Sequence, residues 1–347
     1  MVASRSGDLT ADGAAASAYV AVIIVNYRTP ELTEACLAAL SGERALVPNL
    51  RAIVVDGGSG DGSAEELAAT VAGEAYRDWV EFLPLPINGG FGWANNQALL
   101  RLAHESSPPD YVHLLNPDAK VTRGAVARLV EELKVYPRCA AAGSQLLASD
   151  GTPTGAGFRF PTAGRELVSA ARVAALGRLL GIRPTIVADS SEVDWVTGAS
   201  VMLRVAALRE TGLFDDGFFL YFEEVELMHR LRAAGWLVRH VPESRVYHAE
   251  GSSTGIASVG QMPAYWYQSR RRYFLLTGGR RSALAADLAW MLGRPMGILK
   301  AALRRQNSRS RVRAGDLIRR RSAAAPASAP TWGDAPGKPP AWMEARD

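Results

Sequence analysis

At 347 residues, 48% of them hydrophobic, the chain has room for one large α/β domain or two small ones with a sizeable core. Its two cysteines, Cys36 and Cys139, give neither a disulfide framework nor a metal spacing and point to a reduced, cytosolic compartment; no run of about 20 apolar residues occurs, so no transmembrane helix is indicated. The net charge of +4 is unevenly placed, because residues 270–321 hold fifteen Arg or Lys against two acids, Asp287 and Asp316, and a basic C-terminal third on an acidic body points to an anionic partner, nucleic acid or a membrane surface.

Residues 1–18, Ala, Gly and Ser with mixed charge, read as a disordered N-terminus without a signal peptide. From Tyr19, YVAVIIVNY reads as a buried parallel strand, and PELTEACLAAL as a helix with Pro30 at its first position. LRAIVVD is a second buried strand, followed by a Gly/Ser/Asp loop and the helix SAEELAATVA. VEFLPLP and YVHLLN are further strands around the helix WANNQALLRLAHE; GAVARLVEELKVYP and CAAAGSQLL complete this half. Such alternation predicts an open, mostly parallel sheet with helices on both faces. Beyond Gly151, residues 164–182 read as helical, WVTGASVMLR as a strand or strand-to-helix passage, WLVRHVPESRVYH as a strand, and 262–303 as basic helix with apolar stripes interrupted by Pro295. The Ala/Pro-rich residues 322–347 read as a disordered tail.

Polar residues gather where these strands end: Asn26-Tyr27, Asp56, Asn88 and Asn116-Pro117-Asp118. Ligands of open α/β sheets bind at the carboxyl ends of strands. One such residue is an ordinary turn former; four on one rim predict a polar ligand. The loop after Asp56 is neither a Walker A loop nor a GxGxxG fingerprint. The Asp56 carboxylate, ahead of the glycines, could accept from the imide N–H of uracil or thymine. Asp118 suits a hard divalent cation shared with diphosphate oxygens, or simply a turn. His248 closes a short apolar strand and is either structural or a metal ligand.

The segment FFLYFEEVELMHRLR, 218–232, sets Glu223, Glu224 and Glu226 behind an aromatic run. Three acids opening a helix suit its macrodipole; equally, burial and a like-charged neighbour raise a carboxylate's proton affinity toward what general-base chemistry requires. Glu226 and Arg230 stand four apart, as a solvated ion pair.

In this order VIIVNYRTPELTEACLAAL, IVVDGGSGDGS, NGGFGWANNQA, LLNPDAKV, WVTGASVMLR, FDDGFFLYFEEVELMHRLRAAG and VYHAEGSS resemble the family 2 glycosyltransferases of the GT-A fold, especially bacterial rhamnosyltransferases acting on polyprenyl-diphosphate-linked sugars. The resemblance spans about residues 19–275 and implies a GT-A domain over 19–260. It implies that Asn26, Tyr27 and Asp56 hold the nucleotide base, that Asn88, Gly92 and Asn116 line ribose and diphosphate, and that Trp195, Gly198 and Ala199 border the sugar and acceptor. It further implies a metal site of Asp118 and His248 for Mg²⁺ or Mn²⁺, and Glu224 as general base beside Glu223. The family's acidic pair usually ends in Asp, so Glu224 reaches one methylene farther.

The implied reaction is an inverting, metal-dependent transfer of a sugar, rhamnose from dTDP-rhamnose foremost, to a lipid-linked saccharide acceptor in cell-wall or surface polysaccharide assembly. Transfer of galactofuranose or N-acetylglucosamine is the alternative. The basic helical residues 261–321, with AYWYQSRRRYFLLTGG and an amphipathic continuation, read either as an interfacial element on an anionic membrane or as helices packed on the domain. The resulting expectation is a cytoplasmic protein, peripheral on the inner face of the plasma membrane. A nucleic-acid-binding protein is the rival from another class, but the chain lacks zinc, helix-turn-helix or RNP-type signatures, so no nucleic acid is expected.

Overall fold

A computed structural model describes residues 17–155, 157–182, 186–187, 192–249, 262–303 and 329–336; the expectations for 1–16, 304–328 and 337–347 lie outside these residues. The run VAVIIVN forms β1 (Val20–Asn26), nearly all of it buried, as a central parallel strand must be. Pro30 opens α1 (Pro30–Ser41), where its fixed φ suits the first turn and its missing N–H is not needed. β2 (Leu50–Asp56), α2 (Ser63–Ala72), β3 (Val80–Pro84), α3 (Phe91–Ala103) and β4 (Tyr111–Leu115) then alternate. They produce the predicted parallel half-sheet, in the order β3-β2-β1-β4.

Beyond β4 come β5 (Ala119–Val121), α4 (Ala125–Val135), β6 (Cys139–Leu147), β7 (Gly157–Phe158), α5 (Ala163–Ala171) and α6 (Ala174–Leu179). β8 (Ile186–Val187), β9 (Glu192–Val193), β10 (Trp195–Val196), β11 (Ser200–Arg204), α7 (Val205–Thr211), α8 (Glu223–Ala233), β12 (Leu237–His248) and α9 (Ala264–Leu303) follow. β11 runs antiparallel to both β4 and β6, while β12 is parallel to β6 and antiparallel to β5. The sheet is therefore parallel in its first half and mixed in its second. WVTGASVMLR is two strands, β10 and β11, with a turn between. Pro242, which cannot donate to a ladder, sits inside the register shift of β12 between Val241 and Arg245.

Alternation along β1 divides the core in two. Val20, Val22 and Ile24 face one layer with Leu37, Leu40, Leu129 and Leu133; Ala21 and Ile23 face the other with Leu99, Leu208 and Leu227. A chain of buried hydroxyls crosses the sheet: His113 Nε2 to Ser200 Oγ (2.9 Å), Ser200 to Ser144 (2.8 Å), Ser144 to Ser244 (2.8 Å), and Ser244 to the Ala125 carbonyl (2.9 Å). Burial pushes His113 down to about 3, so the ring is neutral at physiological pH.

Two expectations about charge are corrected. The arginines at 270–272 do not face an anionic surface. Arg270 is buried between Asp287 (2.6 Å) and Glu166 of α5 (2.9 Å), Arg271 lies 3.8 Å from Asp287, and Arg272 grips both oxygens of Asp215 (2.7 and 2.8 Å). Nor is Glu226–Arg230 solvated. Glu226 is buried and holds Arg230 from both oxygens, while Arg230 also donates to the carbonyls of Thr211 (2.7 Å) and Leu213 (2.6 Å). Of these partners, Glu166 and Asp215 come from parts of the chain far from the arginines they hold.

α9 bends at Gly279, whose φ of 69° leaves the helical region, and continues helical through Pro295. The tail is not wholly detached: Leu213 donates to the Pro330 carbonyl (2.8 Å) and Arg209 lies over the Trp332 ring. Removing one member of a buried ion pair leaves the other unpaired and costs roughly 3–5 kcal/mol. Asp215→Ala is therefore expected to lower the thermal unfolding midpoint by several degrees; an unchanged midpoint by circular dichroism would refute the role given to this pair.

Candidate active site

β1 and β2 run in register, Asn26 opposite Asp56, so both side chains arrive at one rim. They turn toward each other. Asn26 Nδ2 donates to Asp56 Oδ1 (2.8 Å), and Asn26 Oδ1 accepts from Thr29 N (3.2 Å) and from the hydroxyls of Thr29 (3.2 Å) and Thr33 (3.1 Å). Asp56 also accepts from the hydroxyl (2.6 Å) and N–H (3.0 Å) of Ser59. Asn26 and Asp56 are almost fully buried. These bonds shape the loop that follows each strand, and Ser59, which has no motif of its own, is the third member of the network.

Beside this network opens a cavity of about 360 Å³. Tyr27, Asn88, Asn116 and Pro117 line it from the strand ends, with Gly57 and Gly90 in the intervening loops. Phe91, Phe219, Leu220 and Tyr265 supply an apolar wall. Tyr265, on α9, lies far along the chain from the other lining residues, and no local pattern marks it. Gly90 has φ 93°, and a Cβ there would run into the Phe219 carbonyl, which instead accepts the Phe91 N–H (3.0 Å). Gly92 does not line the cavity: it faces Phe214 and leaves space for Glu223, whose Cβ lies 3.5 Å from where a Cβ on this glycine would be. Trp195 lies outside the lining as well, stacked on Phe158 (4.3 Å between centroids) with its indole N–H on the Arg159 carbonyl.

The antiparallel pairing of β5 with β12 sets Ala119 opposite His248 and so brings His248 to Asp118. Nε2 of His248 lies 3.2 Å from Asp118 Oδ1 and 3.3 Å from Asn116 Nδ2. A carboxylate oxygen and an imidazole nitrogen thus stand together at the rim, and both are donor types that a divalent cation accepts. Among the described residues no group of three or more His, Cys, Asp or Glu converges to hold a metal. The donor set therefore fits Mg²⁺ or Mn²⁺ completed by ligand oxygens, and does not fit an all-protein cage.

Glu223 and Glu224 open α8 after an aromatic loop that ends in two strained residues, Tyr221 (φ 69°) and Phe222 (φ 70°). Left-handed backbone in bulky residues persists only where packing enforces it. Tyr221 stacks on Tyr265, and Phe222 meets Trp266 and Tyr273 edge-on or tilted, so α9 supplies that packing. On the other side Asn96 of α3 donates to the Phe214 carbonyl (2.8 Å) and to Asp216 (2.7 Å). The pairing of Ser200 with Leu115 puts the turn before β11 beside Asn116, whose N–H donates to the Ala199 carbonyl (3.0 Å).

The Gly198 N–H of that turn, with those of Glu224 and Val225, favours the Glu224 anion, but burial outweighs them and pushes this carboxyl up to about 7. Glu223, buried and beside the Glu224 charge, is likewise raised well above the ordinary carboxyl range. The two carboxyls titrate as a pair with raised proton affinity, each with an oxygen, Oε2, that has no hydrogen-bond partner. Phe91 joins the two regions: it lines the cavity, and its ring packs on Gly198.

Residues 21–166 match the family model described as Glycosyl transferase family 2, and residues 166–308 match Glycosyl transferase family group 2. The N-acetylglucosaminyl-diphospho-decaprenol L-rhamnosyltransferase of Mycobacterium tuberculosis is 28% identical over 307 residues, spanning 83% of this chain and 95% of the relative. Rhamnosyltransferase WbbL of Escherichia coli K12 is 28% identical over 171 residues, 46% of this chain and 60% of the relative. Among solved structures, the mannosyltransferase PcManGT of Pyrobaculum calidifontis, in complex with GDP-Man and Mn²⁺, superposes with a TM-score of 0.52 at 16% identity over 82% of this chain and 75% of that one. TarS 1–349 of S. aureus, in complex with UDP-GlcNAc, gives 0.51 at 12% identity over 78% and 70%. At such identities the superpositions show a shared fold, the GT-A fold.

The raised carboxyls set a pH dependence. A carboxyl whose affinity for protons is higher folded than unfolded favours the fold below its unfolded value, near 4.5, and that contribution is lost as pH rises through the folded value. Glu224→Gln is therefore expected to melt above the wild type at pH 8, with the gap closing below about pH 4.5; melting curves that stay parallel across this range would contradict it.

Proposed function

The chain belongs to glycosyl transferase family 2 and is a glycosyltransferase, and from this premise we propose that it transfers L-rhamnose from dTDP-rhamnose, with inversion, to a hydroxyl of a lipid-diphosphate-linked saccharide in cell-wall or surface polysaccharide assembly. The observation that carries the proposal is the carboxyl pair at the start of α8. Glu224 has a proton affinity suited to taking a proton near neutrality, and Glu223 beside it is raised as well. The choice of sugar and acceptor is supported by the rhamnosyltransferase named above, since this chain spans 95% of its length.

In this reading the nucleotide diphosphate lies in the cavity between Tyr27, Asn88 and Asn116, with Gly57 allowing close approach of the backbone. Asn26 and Asp56 shape the floor. A bond forms between the acceptor oxygen and the anomeric carbon as the bond to the diphosphate breaks, and the hydroxyl proton passes to Glu224. Displacement in one step from the opposite face inverts the anomeric centre. Asp118 and His248 would hold a divalent cation, which when bound neutralises charge on the leaving diphosphate. The Gly198 N–H meets the Glu224 carboxylate and helps hold it in place.

Glu224→Gln is expected to lower transfer by about 10²–10⁴-fold, the range of general-base catalysis, with donor affinity retained in calorimetry. Turnover close to wild type would transfer the role to Glu223. Asp118→Ala should abolish the part of donor affinity that depends on added Mg²⁺ or Mn²⁺. In a thermal-shift series a thymidine-linked donor should stabilise the protein more than uridine- or guanosine-linked ones; the reverse order would remove dTDP-rhamnose as the donor.

A further inference from the structure

Beyond Gly279, α9 is apolar on two faces. The inner face packs on α5 through Trp290, Gly293 and Gly297; a Cβ on Gly293 would overlap the Leu167 carbonyl, and one on Gly297 the Ala170 carbonyl. That close approach fixes which face turns outward. On the outer face stand Leu284, Leu288, Leu292, Met296 and Leu299, three or four residues apart, and each is between 42% and 70% exposed. A helix repeats every 3.6 residues, so these five form one continuous ridge. Exposed leucines scattered singly need no explanation, whereas a row of them does.

The charge around the ridge is of one sign. Arg280 and Arg281 are exposed at its start and have no acidic partner among the described residues, and Lys300 stands at its end, donating to the Arg172 carbonyl. The acid of this segment, Asp287, is buried on the inner face, held by Arg270 and Arg271. Residues 304–321 follow with eight arginines and one acid. A second copy seated on the ridge by a two-fold axis would bring like charges together, whereas a surface of anionic headgroups over acyl chains matches both the leucines and the rim. No helix among the described residues is long and apolar enough to cross a membrane.

We propose that the outer ridge of α9, Leu284 to Leu299 with Arg280, Arg281 and Lys300 at its ends, seats this protein on an anionic lipid bilayer, the ridge lying in the boundary between headgroups and acyl chains. This deepens the preceding reading, on which it rests for the lipid-linked acceptor alone.

The test is cosedimentation of the full chain with vesicles of equal phosphatidylglycerol and phosphatidylcholine, and with phosphatidylcholine alone. Wild-type protein should bind the anionic vesicles and lose most of that binding in 0.5 M salt or on phosphatidylcholine. Leu288→Glu/Leu292→Glu should bind at least tenfold less, Arg280→Glu/Arg281→Glu should bind several-fold less, and Val135→Glu, on the exposed side of α4, should bind as the wild type does. An unchanged melting temperature and unchanged transfer to a short-chain, water-soluble acceptor show that the ridge variant is folded. Equal binding by the ridge variant and wild type overturns the proposal. So does a wild-type dimer in light scattering that the ridge variant converts to a monomer, because the ridge would then belong to a second copy. Failure of transfer with every rhamnosyl donor, with vesicle binding intact, would sink the proposed reaction and leave the surface standing.

Discussion

Arg272 and Asp215 meet out of water, and the loop between α7 and α8 takes its shape from that meeting. A guanidinium buried in this way must satisfy its charge locally, and here it does so against a carboxylate in the loop that leads to α8. The same guanidinium lies over the Phe218 ring, adding a cation–π contact at 5.5 Å. With Asn96 pulling on Phe214 and Asp216 from α3, the loop is held from two sides. Its far end can then carry Tyr221 and Phe222 in a backbone region that neither would choose. α9 is thus part of the packing that shapes the candidate site.

The carboxyl pair shows how one environment yields two chemical characters. Both groups sit at a helix N-terminus, where the macrodipole favours anions; both are nevertheless raised, because desolvation outweighs the dipole. What separates them is the count of backbone N–H groups. Glu224 receives help from three, one of them delivered by the turn before β11, and Glu223 receives less while also feeling its neighbour's charge. The turn at Gly198 therefore acts on the acid–base division although its own atoms are not titratable.

Much of this was legible in the sequence, for reasons that can be stated. Buried strands such as VAVIIVN are continuous apolar runs, and strand ends carry Asn or Asp because the chain must turn there, so the parallel half-sheet and its polar rim could be read directly. Asp118 and His248 were each identifiable, but their meeting depends on the pairing of β5 with β12, which is set by tertiary structure. Asn26 and Asp56 were read as ligand contacts; their hydrogen bond to each other was not legible, since it depends on the register of β1 with β2. The charge of 270–272 misled for a related cause. Composition records how many arginines a segment has, and only the fold shows that Glu166, Asp215 and Asp287 are waiting for them. Gly92 was read as lining ribose and diphosphate, yet it belongs to the first turn of α3, where its small size lets Phe214 pack closely.

The bend at Gly279 joins two pieces of helix that answer to different surroundings. The piece before it contributes Tyr265 to the cavity, and the piece after it carries the leucine row. Each residue inserted or deleted between the bend and Leu284 would turn that row by about 100° relative to the cavity. Residue types along the row can drift among Leu, Ile and Met with little consequence, but the number of residues from bend to row cannot. Here the length of a short segment, more than its composition, sets which way the row faces.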